Sequence, residues 1–151
     1  MLTVGDTAPS FFLPDAASGQ TVTDPWSEGR IVVVFFKVTC PVCQMVGPKV
    51  AALAAGGARV LAVGQDPPAA LKRYAGEHGQ GVPTVSEPAP YRVSAAYGLS
   101  SVPSLFLVEP EGTIAAAVGA WDRARWNAVA AAAGAPAVST DGDGLPAFRP
   151  G

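Results

Sequence analysis

Residues 31–50, IVVVFFKVTCPVCQMVGPKV, constrain the fold of this chain more than any other stretch. Ile31 to Phe36 is an unbroken run of β-branched, aliphatic and aromatic residues with turn residues on both sides. That pattern predicts a strand buried on both faces. Beyond it Val42, Met45, Val46, Val50 and Leu53 recur at helical spacing. Pro41 suits the first turn of a helix, where the missing N–H would have no partner anyway. The only two cysteines, Cys40 and Cys43, fall at this strand-to-helix turn. Free N–H groups and the positive end of a helix dipole stabilise a thiolate over a thiol, so the exposed cysteine of the pair is expected to have a lowered pKa.

The rest of the composition narrows the class. A chain of 151 residues is expected to be one domain with a sizeable core. With 49% hydrophobic and 15% charged residues it is globular, and a net charge of −2 without a basic run argues against nucleic acid or an anionic membrane as partner. No apolar run approaches the ~20 residues of a membrane span. The first residues, MLTVGDTAPSF, lack the basic and apolar regions of a signal peptide. A cytoplasmic monomer without a cofactor is therefore expected. In a reducing compartment two cysteines this close serve catalysis or metal binding more often than structure.

Elsewhere, Phe11 to Leu13 and the end of PDAASGQTV read as a strand pair turning at Ser18-Gly19, and Trp26 to Gly29 as a loop. The helix after the cysteines is expected from Pro41 to about Ala55, kinked at Pro48 and ended by Gly56-Gly57. Arg59 to Gly64 reads as a second buried strand. Asp66 is then expected to cap a helix that turns Leu71 and Tyr74 inward and ends by Gly79. A short extended piece at Val82–Val85, a short helix at Tyr91–Tyr97, a hairpin of Ser104–Val108 with Thr113–Val118, and a helix capped by Asp122 follow. Residues 135–151 lose apolar periodicity and read as an irregular tail, mobile unless Leu145 and Phe148 dock. The domain is thus expected over 1–134. Strands alternating with helices predict an α/β architecture, a central mixed sheet flanked by helices with an N-terminal hairpin extension.

With these pieces in place, the chain resembles the thioredoxin fold, in the redoxin branch that holds TlpA-type thiol-disulfide oxidoreductases and AhpC/TSA peroxiredoxins. The resemblance is carried by GDTAPSFFLPDAASGQTV, by the strand leading into Cys40-Pro41-Val42-Cys43, and by YGLSSVPSLFLVEPEGTI, across residues 5–118. It implies a cis Val102–Pro103 bond beside the dithiol, with the backbone of Val102 pairing with substrate, and it places Thr39 and Pro41 at the substrate-facing turn.

The chemistry expected is thiol–disulfide exchange with a protein or small-molecule disulfide, the dithiol being restored by a separate reductant. Cys40 would be the nucleophile and Cys43, one helical turn on, the resolving thiol. A second reading is a thiol peroxidase with Cys43 peroxidatic. Against it, Phe36 and Cys40 stand where the peroxiredoxin pattern has Pro and Thr, and no arginine precedes Pro103. A third is a Cu(I) carrier using two thiolates. Structural zinc needs four ligands, whereas His78 is the only histidine and reads as solvent-facing. Three departures bear on the exchange reading. Thr39 replaces the tryptophan common before the first cysteine, Val34 occupies the place of thioredoxin's buried aspartate, and Gln65 and Asp66 follow the next strand. Lys37, Gln65 and Asp66 are candidate modulators of the thiol pKa values. Trp26, Trp121 and Trp126 read as packing residues.

Overall fold

The structure, a computed structural model, describes residues 1–151. A hairpin of β1 (Phe12–Pro14) and β2 (Thr21–Thr23) leads into one turn of 3-10 helix at Pro25–Glu28, where a plain loop was expected. Then come β3 (Ile31–Phe36), α1 (Pro41–Ala55), β4 (Val60–Gly64), α2 (Pro68–Glu77), β5 (Thr84–Ser86) and α3 (Arg92–Ala96). The chain closes with β6 (Ser104–Val108), β7 (Ile114–Val118), β8 (Trp121–Asp122), α4 (Arg123–Ala132) and β9 (Phe148–Arg149).

The central sheet has the order β5-β4-β3-β6-β7. β3 lies parallel to β4 and antiparallel to β6, so the sheet is mixed. All six residues of β3 are buried, as its apolar run requires. Because side chains alternate across a strand, Val32 and Val34 join Val46, Val50 and Leu53 of α1 and Trp126 and Val129 of α4 on one face. Ile31, Val33 and Phe35 meet Phe11, Trp26, Tyr97 and Phe106 on the other. Burying each large aliphatic side chain contributes about 1.5–3 kcal/mol, so the two layers together fix β3 at the centre. This is a thioredoxin-like fold with an N-terminal hairpin.

The register of β3 and β6 sets the site. Phe35 pairs with Ser104, the residue after Pro103, so the loop before β6 is delivered to the end of β3 that leads to Cys40. α1 runs from Pro41 to Ala55 with Pro48 inside it. Asp122 caps α4 as expected, its carboxylate accepting from the Arg125 N–H at 3.1 Å.

One expectation needs correction. Asp66 does not cap α2: that helix starts at Pro68, the residue before it is Pro67, and no side-chain cap bond forms. Two consecutive prolines supply the helix-compatible φ and remove N–H groups that a cap would have to satisfy. The 135–151 segment, expected to be irregular and mobile unless Leu145 and Phe148 dock, is irregular apart from the two residues of β9 and is held at many points. Ala135, Val138 and Ser139 are buried, Leu145 packs against the α1/α4 core, and Phe148–Arg149 pair antiparallel with β8. Phe148 itself is 57% exposed, so its backbone docks and its ring does not.

Candidate functional site

Cys40 stands at the N-cap of α1 with an extended backbone (φ −83°, ψ 116°). Its Sγ accepts a hydrogen bond from the Cys43 N–H at 3.2 Å and donates to the Val102 carbonyl at 3.5 Å. Cys40 is partly exposed and Cys43 is wholly buried, both as free thiols. The Val102–Pro103 peptide bond is cis. Val102 is half-buried, Pro103 buried and Pro41 exposed. The structure thus brings Cys40, Cys43, Pro41 and Val102–Pro103 together. The N–H of the first helical turn that cannot pair within the helix is aimed at the outer sulfur.

Cys43 sits in a pocket of Phe36, Ala62, Leu71 and Tyr74. Burial pushes its thiol pKa up, and the hydrogen bond with Cys40 adds to the rise. Tyr74 Oη donates to the Cys43 carbonyl at 2.6 Å, and its ring lies between Phe36 and His78 with centroids 4.9 Å from each. Burial also raises the Tyr74 hydroxyl, followed by the charges of Cys43 and Cys40. Tyr74 was legible in the sequence only as an inward position of α2. Its bond to the cysteine helix had no signal there, because it joins residues 31 positions apart.

The candidate modulators are arranged differently from one another. Lys37 forms no ion pair, and its carbonyl accepts from the Cys40 N–H at 3.1 Å, tightening the turn. Thr39 is exposed and hydrogen-bonds to neither sulfur. Gln65 is turned away, its amide donating to Ser94 Oγ at 2.8 Å. Asp66 instead accepts from the Val38 N–H at 2.9 Å, while Gln44 donates to the Val38 carbonyl at 2.8 Å. A carboxylate and an amide thereby pin both sides of Val38 and hold the turn that presents Cys40. His78 is half-buried against Tyr74 rather than facing solvent. Glu87, which the sequence did not single out, is buried and accepts from both the N–H and the hydroxyl of Ser94 at 2.8 and 2.6 Å, fastening α3.

No group of three or more His, Cys, Asp or Glu side chains is arranged to hold a metal ion. No helix is long and apolar enough to cross a membrane.

Solved structures with this fold include the thioredoxin domain of a thiol-disulfide oxidoreductase from Bacteroides vulgatus. It is 24% identical with a TM-score of 0.67, over 78% of this chain and 89% of that one. Peroxidoxin BcpB from Mycobacterium tuberculosis is 19% identical with a TM-score of 0.64, over 78% and 86%. An uncharacterized conserved protein from Geobacillus kaustophilus is 21% identical with a TM-score of 0.71, over 97% and 76%. A match that wide includes most of the 135–151 segment. No curated protein matches the sequence. The AhpC/TSA family model matches residues 4–117, a span that holds the hairpin, the dithiol turn, the Val102–Pro103 loop and nearly all of the central sheet. By that match, and with the fold it covers, this chain belongs to the AhpC/TSA family of thioredoxin-like redoxins.

Proposed function

We propose that the protein is a thiol-disulfide oxidoreductase that reduces disulfides through Cys40 and Cys43. The Cys40 thiolate attacks one sulfur of R–S–S–R′. The S–S bond breaks, R′S⁻ leaves and takes a proton from solvent, and a mixed disulfide Cys40–S–S–R forms. Cys43 then gives up its proton and attacks Cys40 Sγ. RS⁻ leaves and is protonated in turn, and the Cys40–Cys43 disulfide remains. Two thiols are oxidised and one disulfide is reduced, so a cellular dithiol must return the pair to its reduced form. A cytoplasmic location fits a pair that begins each cycle as thiols.

The observation that carries this reading is the asymmetry of the two sulfurs. Cys40 is partly exposed and its Sγ receives the Cys43 N–H at 3.2 Å, a donor that strengthens as negative charge gathers on that sulfur. Cys43 is buried with its thiol pKa raised, which keeps it protonated until a mixed disulfide is in place. The same burial speaks against a peroxidatic Cys43, to which no arginine is hydrogen-bonded, and against an open two-thiolate copper site.

The test is a stopped-flow comparison of the reduced protein with bis(2-hydroxyethyl) disulfide and with hydrogen peroxide, counting free thiols. Rapid loss of two thiols with the disulfide is expected, and slow loss with peroxide. Cys40→Ser should abolish the reaction, and Cys43→Ser should stop it at a mixed disulfide on Cys40. Fast peroxide consumption that survives Cys40→Ser would establish the peroxidase reading instead.

A further inference from the structure

The 135–151 segment follows a fixed path that ends against the dithiol. Past α4, the Asn127 side chain accepts from the N–H groups of Val138 and Ser139 at 2.9 and 3.1 Å and donates to the Ser139 carbonyl at 2.8 Å. Asp143 then ties the segment to two helices. One carboxylate oxygen takes Lys49 Nζ of α1 at 2.8 Å and Ser139 Oγ at 2.6 Å. The other takes the Leu145 N–H at 3.0 Å and faces Arg123 of α4 at 3.5 Å. Arg123 also donates to the Leu145 carbonyl at 2.8 Å, its main-chain N–H to the Ala147 carbonyl at 2.9 Å, and Trp121 Nε1 to the Pro146 carbonyl at 2.7 Å. From there β9 pairs with β8, and Arg149 reaches Met45 of α1.

Gly151 comes to rest on the Val102 carbonyl. A Cβ added at Gly151 would overlap that oxygen and its carbon, both of them backbone atoms that cannot rotate aside. The same oxygen receives Cys40 Sγ. The segment therefore lies against the same backbone oxygen to which the proposed nucleophile is hydrogen-bonded. A polypeptide disulfide is held largely through its main chain, which pairs with exposed backbone groups beside the sulfur. A small disulfide needs only a path to Cys40, and Cys40 stays partly exposed with the segment in place.

We propose that residues 145–151 wall the Val102 side of the dithiol and make this site selective for small-molecule disulfides over polypeptide disulfides. The inference rests on the exchange reading above and leaves its chemistry unchanged. A tethered segment competes at an effective concentration in the millimolar range, so a loosely binding polypeptide is excluded while the segment is docked.

The experiment uses the full chain, reduced, with two substrates: bis(2-hydroxyethyl) disulfide and insulin. Two variants loosen the segment from opposite ends, Gly151→Val at the dithiol and Asp143→Asn at the clamp. Each should raise the rate with insulin about 10-fold, as the open fraction grows. The rate with the small disulfide should change by less than about 3-fold, within the spread of an altered open population. Amide exchange at Phe148 and Arg149, expected to quicken in both variants, reports the release without using activity. An insulin rate that stays at the wild-type value in both variants overturns the proposal. So does a wild-type protein that already reduces insulin as fast as either variant. Inertness of all three proteins toward both disulfides would overturn the exchange reading itself, and the selectivity proposal with it.

Discussion

A single buried sulfur makes the reduced protein sensitive to base. Cys43 is wholly buried among Phe36, Ala62, Leu71 and Tyr74, and desolvation raises its thiol pKa above the ordinary value. In the unfolded chain a cysteine ionises near pH ~8.5. Above that pH the unfolded state has lost the proton that the folded state keeps, so the unfolded state binds fewer protons and stability must fall with rising pH. The contribution is fully present below pH ~8.5 and declines by about 1.4 kcal/mol per pH unit until the folded thiol itself ionises. Urea unfolding of the reduced protein between about pH 8 and pH 10 should show this slope. Cys43→Ala should flatten it while Cys40→Ala leaves it in place. A reduced protein with the same midpoint across that range would mean that Cys43 is more hydrated than its surroundings indicate.

At the scale of elements, the close approach of α1 to the end of α2 depends on Gly47. A Cβ at Gly47 would overlap the backbone carbonyl of His78, which is fixed by the turn that follows α2. Gly47→Ala should therefore push α1 away from Tyr74 and loosen the Tyr74–Cys43 hydrogen bond. The cost expected is about 1–3 kcal/mol, read as a fall in Tm of roughly 2–4 °C per kcal/mol. An unchanged Tm would show that the two helices can part without consequence. The order of elements was legible because each carries its own local signal: the Ile31–Phe36 run, the Asp122 cap, the Gly98 stop after α3 at φ +70°. The dithiol and its position were legible for the same reason. What escaped the sequence were the side-chain contacts that join distant residues. Asp66 has the composition of a helix cap, yet the two residues after it are prolines without an N–H, and its carboxylate instead closes the Val38 turn 28 residues away. Residues 135–151 lack periodicity because they are held by side chains from other elements, and a segment held in that way has no pattern of its own to read.

Across the whole molecule, Asp143 makes the closure of the 135–151 segment dependent on acid. Its carboxylate faces Lys49 from α1, Arg123 from α4, and Ser139 and the Leu145 N–H from the segment itself, and Arg123 also faces Asp141 at 3.9 Å. The Lys49 hydrogen bond comes first in holding the Asp143 carboxyl well below the usual carboxylate range, followed by those from Ser139 and Leu145. A carboxyl lowered in the folded state stabilises it above the unfolded pKa of about 3.9, and that contribution is lost as pH falls toward the folded value. The paired β3, β4 and β6 at the centre of the sheet contain no carboxylate, so their packing does not weaken in the same window. Acidification should therefore release the segment before it unfolds the domain. Amide exchange corrected for intrinsic rate should show peptides from 138–149 losing protection progressively as pH falls below about 4, while peptides from β3 and β6 keep theirs. Asp143→Asn should show the exposed pattern already at neutral pH and little further change on acidification. Simultaneous loss of protection in the segment and the central sheet would mean that the clamp and the core are one cooperative unit, and that the segment cannot open without the fold.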